Sequence, residues 1–285
     1  MPTPVVEPTL PLGDVDLVFV DVETTGLYPI FGDRICEIGA LKVRSGREVD
    51  TFVQLVDPLR PISPGASAVN GITDEMVDGQ PTFSEVAGAF LSFVENAILV
   101  AHNAPFDFGF LALEIRLAGV PPLPNPIVDT LQVARRYLRL ESHALGFLAD
   151  HFHITAPDAH RALGDCRTTF RVFQQLIAEV FKDGAPSVGI FLDRMIGWSV
   201  EEEQTDLLHL LPPSLRGPVK RRERVIIDYV DASGNKTTRT IQLKEVAAMR
   251  DYIYLVAYCY AKEAERTFRL DRILRWEKAP EQGQN

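Results

Sequence analysis

Residues 15–27, VDLVFVDVETTGL, decide how this 285-residue chain is read. Val15–Val20 is a short, largely apolar run, the pattern of a strand buried on both faces of a sheet. Asp21 and Glu23 stand at its end, two residues apart, so their side chains leave the same face. Carboxylates crowded together repel one another, and burial disfavours their ionised form. A fold that gathers several of them is therefore expected to hold hard cations, and Mg²⁺ or Mn²⁺ suits the cleavage of phosphodiesters.

Working outward, Ile35–Val43 and Glu48–Val56 flank Ser45-Gly46 and read as a hairpin beside the first strand. An amphipathic helix follows near Ser84–Glu95, then a strand at Ala97–Ala101. The next helix opens at Asn103, a good N-cap, with Pro105 in its first turn and Gly119 placed to end it. Ile127–Asp129 reads as another short strand. A helix from about Arg161 to Phe181 buries Leu163, Cys166, Phe170, Phe173, Ile177 and Val180, spaced three and four apart. A strand meander followed by alternating helices and strands predicts a mixed α/β sheet.

Two of these helices bring further carboxylates. AHNAPFDFGFL at 101–111 places Asp107 in a first helical turn, where the helix dipole favours an anion. AHRALGDCRTT at 159–169 supplies His160 and Asp165. Five residues turn a helix through about 500°, so His160 would face away from Asp165 if both were helical. His160 is therefore placed on the loop before the helix, where on the residues alone it reads as a solvent-facing histidine capping that helix.

DVETTGL, HNAPFDFGFL and HRALGD, in this order and spacing, resemble the three motifs of DEDDh-type 3′–5′ exonucleases of the DnaQ superfamily. The resemblance spans about Val15–Phe181, and NGITDEM (70–76) and VDTLQVARR (128–136) also resemble stretches of that family. It implies an RNase H-like fold, with Asp21, Glu23, Asp107 and Asp165 holding two Mg²⁺ or Mn²⁺ ions and His160 as general base. Thr24, Thr25, Gly26 and Leu27 are expected to line the terminal nucleotide, with His102, Asn103 and Phe106 as further substrate contacts. His102 reads equally well as a strut under Asn103, and Phe106 equally well as core. His151 and His153, without acidic or thiol partners at ligand spacing, read as structural.

The remainder divides by charge. Residues 1–215 hold 14 Lys and Arg against 29 Asp and Glu, whereas residues 216–278 hold 15 against 9. The net −10 thus conceals a basic C-terminal module, a sensible addition for holding a polyanion. Strands are expected at Arg224–Val230, Arg239–Leu243, Tyr252–Tyr260 and Thr267–Leu274, with a turn at Ser233-Gly234-Asn235. In YIYLVAYCY (252–260), Ile253, Leu255, Ala257 and Cys259 alternate with tyrosines, giving a core face and an aromatic face. Arginines follow at 266, 269, 272 and 275; aromatics with arginines suit single-stranded nucleic acid, and the pattern reads equally well as cross-strand tyrosine packing beside exposed arginines.

DYIYLVAYC (251–259) and ERTFRLDRI (265–273) resemble the WYL domain, which implies a small all-β Sm- or SH3-like barrel over about 219–278. Ile253-Tyr254-Leu255 stands where that domain has Trp-Tyr-Leu. The resemblance implies nucleic-acid or ligand sensing, with Tyr254, Arg266, Arg269 and Arg272 as contacts, and a bacterial origin.

The expected layout is a flexible tail (1–14), a nuclease domain (15–182), a helical connector (183–218), the barrel (219–278) and a short tail (279–285). Gln204-Thr205-Asp206-Leu207-Leu208 weakly resembles a sliding-clamp-binding peptide, which makes a sliding clamp or a DNA polymerase the corresponding partner. Cys36, Cys166 and Cys259 form no CxxC pair, which argues against a disulfide framework or structural zinc. With no signal-peptide pattern and no membrane-length apolar run, a cytoplasmic location is expected. The reading is an exonuclease acting at free 3′ ends of single-stranded nucleic acid, DNA favoured. The alternatives are an exoribonuclease of the same fold and a non-catalytic ligand-sensing regulator.

Overall fold

The computed structural model of the chain describes residues 6–29, 32–156, 160–182, 184–195, 197–199, 211, 213–231, 234–249 and 252–280. Contacts divide the chain into two units, residues 1–26 with 34–204 and residues 27–33 with 205–285. The peptide at 204–208 lies outside the described residues.

The first unit is built on one six-stranded sheet. Its strands are β1 (Leu17–Thr24), β2 (Ile35–Arg44), β3 (Arg47–Leu55), β4 (Ile98–Ala101), β5 (Pro126–Asp129) and β6 (Gly197–Ser199). The order is β3-β2-β1-β4-β5-β6. The first three pair antiparallel, β4 and β5 join in parallel, and β6 closes the edge antiparallel. Ser45 and Gly46 turn the β2–β3 hairpin with φ of 49° and 71°, the left-handed pair that a two-residue hairpin loop needs.

Eight helices accompany these strands among the described residues: α1 (Pro64–Asn70), α2 (Asp74–Val77), α3 (Phe83–Val94), α4 (Ala104–Leu117), α5 (Thr130–Tyr137), α6 (Leu145–His151), α7 (Ala162–Val180) and α8 (Val188–Met195). Alternation along β1 splits the core in two. Val18, Val20 and Val22 join α3 and α4 on one side, while Leu17 and Phe19 join α7 and α8 on the other. Phe19 packs against Phe170 and Phe173 of α7 at 5.2 and 5.3 Å between ring centroids. Asp21 and Glu23 continue the Leu17–Phe19 row by strand parity, so the α7 side of β1 turns from apolar to acidic at Asp21.

Residues 8–12, expected as part of a free tail, are instead tied to the segment before α8. Leu12 N–H donates to Pro186 O, Val188 N–H to Leu10 O and Gly189 N–H to Pro8 O, and Val6 is buried. Helix α8 and strand β6, within the stretch read as connector, belong to the first unit.

The second unit contains α9 (Pro213–Lys220) and strands β7 (Arg224–Val230), β8 (Lys236–Met249), β9 (Tyr252–Cys259), β10 (Ala264–Arg269) and β11 (Ile273–Lys278). They form an antiparallel sheet in the order β10-β9-β8-β7-β11. Among the described residues this is an open sheet, with β10 and β11 at opposite edges and no pairing between them that would close the expected Sm- or SH3-like barrel. The single strand expected at Thr267–Leu274 is also corrected, because a 3₁₀ turn at Leu270–Arg272 breaks it into β10 and β11. That turn buries Leu270 and lets Arg269 pair with Asp271. Val225, Ile227, Ile241, Leu243, Leu255, Ala257, Cys259 and Phe268 are buried in this unit, as are Leu215 and Val219 of α9. Among the described residues, no helix is long and apolar enough to cross a membrane.

Candidate metal centre

Asp21, Glu23 and Asp165 converge, each offering a carboxylate oxygen within 4.8 Å of the others'. The first two come from the end of β1, the third from the first turn of α7. Asp107, on the first turn of α4, is buried, and its Oδ1 accepts the Val22 N–H at 3.0 Å. The β1–β4 ladder ends at Phe19–Val100, so beyond it a side chain supplies the acceptor that β1 needs. Asp107 is thus joined to the backbone between Asp21 and Glu23, although its oxygens fall outside the three-carboxylate group.

The electrostatics describe a site under repulsion. Burial raises the Asp21 carboxyl well above its usual range, and Asp107, Asp165, Glu23 and Glu37 add to this by charge repulsion. Burial likewise pushes Glu23 up to about 8, helped by Asp165 and Glu37 and opposed by a hydrogen bond from Asn70. Asp107 is also pushed up to about 8 by burial, against the pull of the Val22 N–H. Asp165 is raised by burial, with the His160 N–H opposing. A divalent cation relieves this repulsion, and an all-oxygen donor set fits Mg²⁺ or Mn²⁺ rather than a thiolate-bound metal. The nearby Cys166 thiol takes no part, since its Sγ donates to Gly39 O.

His160 lies on the turn before α7, exposed, with φ of 64°. Its backbone N–H donates to Asp165 Oδ2 at 3.2 Å. The segment is seated on β2 with no space between: a Cβ added at Gly39 would lie 2.6 Å from Ala162 C and 2.7 Å from Leu163 N. Only glycine admits that approach.

The expected substrate contacts separate into two groups. Thr25 is fully buried; its Oγ1 accepts from Arg34 N–H and its own N–H donates to Arg34 O, so it closes a loop rather than facing a ligand. Thr24 is buried and donates to Gly26 O at 2.6 Å. His102 is a strut: Nδ1 lies 2.9 Å from Thr130 Oγ1, and Nε2 lies 2.9 Å from His143 O. Phe106 is half-buried against Phe110, with ring centroids 5.2 Å apart. Leu27 is 66 % exposed, and Asn103 is exposed with φ of 68° and no side-chain capping bond. Asn103 holds that left-handed backbone because its N–H donates to Asp129 Oδ1, which also caps α5.

Two buried carboxylates escaped the sequence reading. Glu37 of β2 stands opposite Glu23 in register and binds Arg161 through Nε (3.0 Å) and Nη2. Its Oε2 also accepts the Ala162 N–H at 3.0 Å. Glu114 of α4 takes Nε and Nη2 of Arg34, both at 2.7 Å. Each pair fastens a carboxylate-bearing helix to the sheet. Their signal in the sequence is a lone acidic residue inside an apolar run, ICEIGAL and FLALEIRL.

In the second unit, register separates the expected contacts. Arg269 opposes Tyr254 and shares the tyrosine face, but it is paired with Asp271. Arg266 opposes Ala257, on the other face of the sheet, and Arg272 sits in the 3₁₀ turn. The tyrosine face instead carries Tyr258 and Tyr260 edge-to-face at 5.3 Å, with the Arg224 guanidinium 5.4 Å from the Tyr260 ring.

Comparisons with known proteins agree with this geometry. Residues 18–173 match the family model described as "Exonuclease", and residues 213–278 match the WYL domain. A PolC-type DNA polymerase III of Thermotoga maritima is 40% identical over 172 residues, 60% of this chain and 12% of that protein. A DNA polymerase III subunit epsilon-like protein of Rhodobacter capsulatus is 40% identical over 187 residues, 64% of this chain and 26% of that protein. The chain thus spans about an eighth of the PolC-type relatives and a quarter of the epsilon-like one. In fold, exonuclease I aligns with a TM-score of 0.54 at 18% identity, covering 86% of this chain and 55% of that one. The nuclease domain of 3′hExo, a DEDDh family member, aligns at 0.52 and 19% identity, covering 60% and 94%. The chain belongs to this exonuclease family: residues 18–173 form an exonuclease domain homologous to the DEDDh-type 3′–5′ exonucleases, joined in one chain to a WYL domain at residues 213–278.

Proposed function

We propose that the chain releases nucleotides one at a time from the 3′ end of single-stranded nucleic acid, DNA in preference to RNA, with two Mg²⁺ or Mn²⁺ ions held by Asp21, Glu23, Asp107 and Asp165. The observation that carries this is the convergence of three half-buried carboxylates from β1 and α7, with Asp107 hydrogen-bonded to the backbone between two of them. Such ions lower the pKa of a bound water and screen the charge of the scissile phosphate. His160, on its exposed turn beside Asp165, accepts the proton of the attacking water. Leu27 and Asn103, both exposed, and Gly26 and Phe106, both half-buried, are the further substrate contacts. The preference for DNA is supported by the 37–40% identity to proteins named as DNA polymerase III. The same kinship fits work at sites of DNA replication or repair.

The WYL unit adds affinity through its positive charge, with Tyr258, Tyr260 and Arg224 as the stacking group. Removing residues 211–285 is expected to weaken binding and flatten its dependence on salt. Oligonucleotides of matched sequence, as DNA and as RNA, labelled at either end, test the whole reading. Mononucleotide release from the 3′ label on DNA is expected first. Release from the 5′ label first, or faster loss of RNA, contradicts the direction or the substrate.

A further inference from the structure

We propose that Arg161 and Glu37 form a positioning pair for the general base, setting His160 over the metal carboxylates through a bidentate clamp on the adjacent residue. His160 lies between two anchors. Its own N–H is held by Asp165 Oδ2, and the next residue, Arg161, is held by both oxygens of Glu37. Between them the backbone at His160 takes φ of 64°, a left-handed conformation that costs free energy in a non-glycine residue and persists only when its surroundings enforce it. The anchor is firm. Glu37 has a side chain only 1% exposed, on a strand buried on both faces, and it also accepts the Ala162 N–H that opens α7.

The pair is more than a fastening for the helix. The first turn of α7 is already seated by the close approach of Gly39 to Ala162 and Leu163, and by the apolar stripe of α7 beneath. What Arg161 adds is direction at the residue preceding the helix. A guanidinium fixes two parallel bonds in a plane, whereas an ammonium offers a point charge. Arg161→Lys therefore keeps Glu37 neutralised but loses the orientation, and it separates geometry from charge.

This inference rests on His160 being the base, and His160→Ala tests that separately: an unchanged kcat there removes the base, whatever Arg161 does. The test uses the full chain, a 3′-labelled DNA oligonucleotide and saturating Mn²⁺. Arg161→Lys is expected to lower kcat about 10-fold or more with KM within about 2-fold, as for an orientation lost near the reacting atoms. On the His160→Ala background the same substitution is expected to cost less than about 2-fold, because the group it positions is gone. Mn²⁺ affinity, read by calorimetry, is expected to stay within about 2-fold of the parent, since the ligand carboxylates are untouched. The neutral double variant Glu37→Gln with Arg161→Gln is expected to lower kcat in the same way, and to lose that effect on the His160→Ala background, without leaving a buried charge unpaired. Wild-type kcat in Arg161→Lys, a full additional loss on the His160→Ala background, or weakened Mn²⁺ binding overturns the inference.

Discussion

Gly39→Ala is the sharpest probe of how the site is assembled, because it replaces no candidate ligand: Gly39 lies on β2, facing Asp21 in the backbone ladder. The added methyl would meet Ala162 C at 2.6 Å, Leu163 N at 2.7 Å and Ala162 Cβ at 2.8 Å, whereas ordinary contact begins at 3.4 Å. Two of the three atoms are backbone, so no side chain can swing aside, and the start of α7 must retreat by about 1 Å. That displacement carries His160 and Asp165 away from Asp21 and Glu23. A shift of this size costs about 100-fold in rate when reacting groups are misplaced, and overpacking of this kind costs about 1–3 kcal/mol of stability. Nucleotide release from a 3′-labelled oligonucleotide and the melting temperature report the two effects together. Gly88→Ala serves as the control: Gly88 is an exposed residue of α3 with open space around it, and the substitution should stabilise by about 0.5–1 kcal/mol without altering kcat. A Gly39→Ala protein with wild-type kcat and melting temperature refutes the close seating of α7 on β2.

Other perturbations follow from the buried charges. Arg34→Ala leaves Glu114 buried and unpaired, and is expected to cost about 3–5 kcal/mol, read as a lowered urea midpoint; a loss below about 1 kcal/mol would mean that the pair does not hold α4. Glu23, at 4.5 when unfolded and about 8 when folded, binds more protons in the metal-free native state across that window. Its native-state penalty is therefore absent below about pH 4.5 and grows until about pH 8, so without metal Glu23→Gln should become increasingly more stable than the parent as pH rises. A stability gap that stays constant or shrinks with pH contradicts the repulsion described. For the same reason the rise in melting temperature on adding Mg²⁺ or Mn²⁺ should be larger at pH 8 than at pH 6, with protons released on binding; an equal rise at both would show that the ions do not displace those protons.

The sequence made the local parts of this molecule readable and left its long-range pairings unread. Strand parity alone puts Asp21 and Glu23 on one face, and the five-residue step from His160 to Asp165 puts His160 ahead of α7. Glu37 and Glu114 could not be assigned partners, because Arg161 lies 124 residues from the first and Arg34 lies 80 from the second. An acidic residue in an apolar strand announces that a partner exists; the partner depends on topology. The second unit shows the same division. Alternation in YIYLVAYC marks the buried face correctly at Leu255, Ala257 and Cys259. Strand order is not encoded in alternation, so β11 pairing with β7 at the far edge had no local signature. Thr25 and His102 are a milder case: residues next to a motif, bearing groups suited to a ligand, are taken up by the protein's own loop and strand ends.

The proposed nuclease depends on the carboxylates of β1 and α7 holding the ions at the scissile phosphate. Nucleotide release from a 3′-labelled single-stranded DNA oligonucleotide with Mn²⁺, for the parent beside Asp21→Ala and Asp165→Ala, tests it most directly. Release by the parent is expected, with none detectable from either variant while both melt cooperatively. Undiminished release by a folded variant would contradict it.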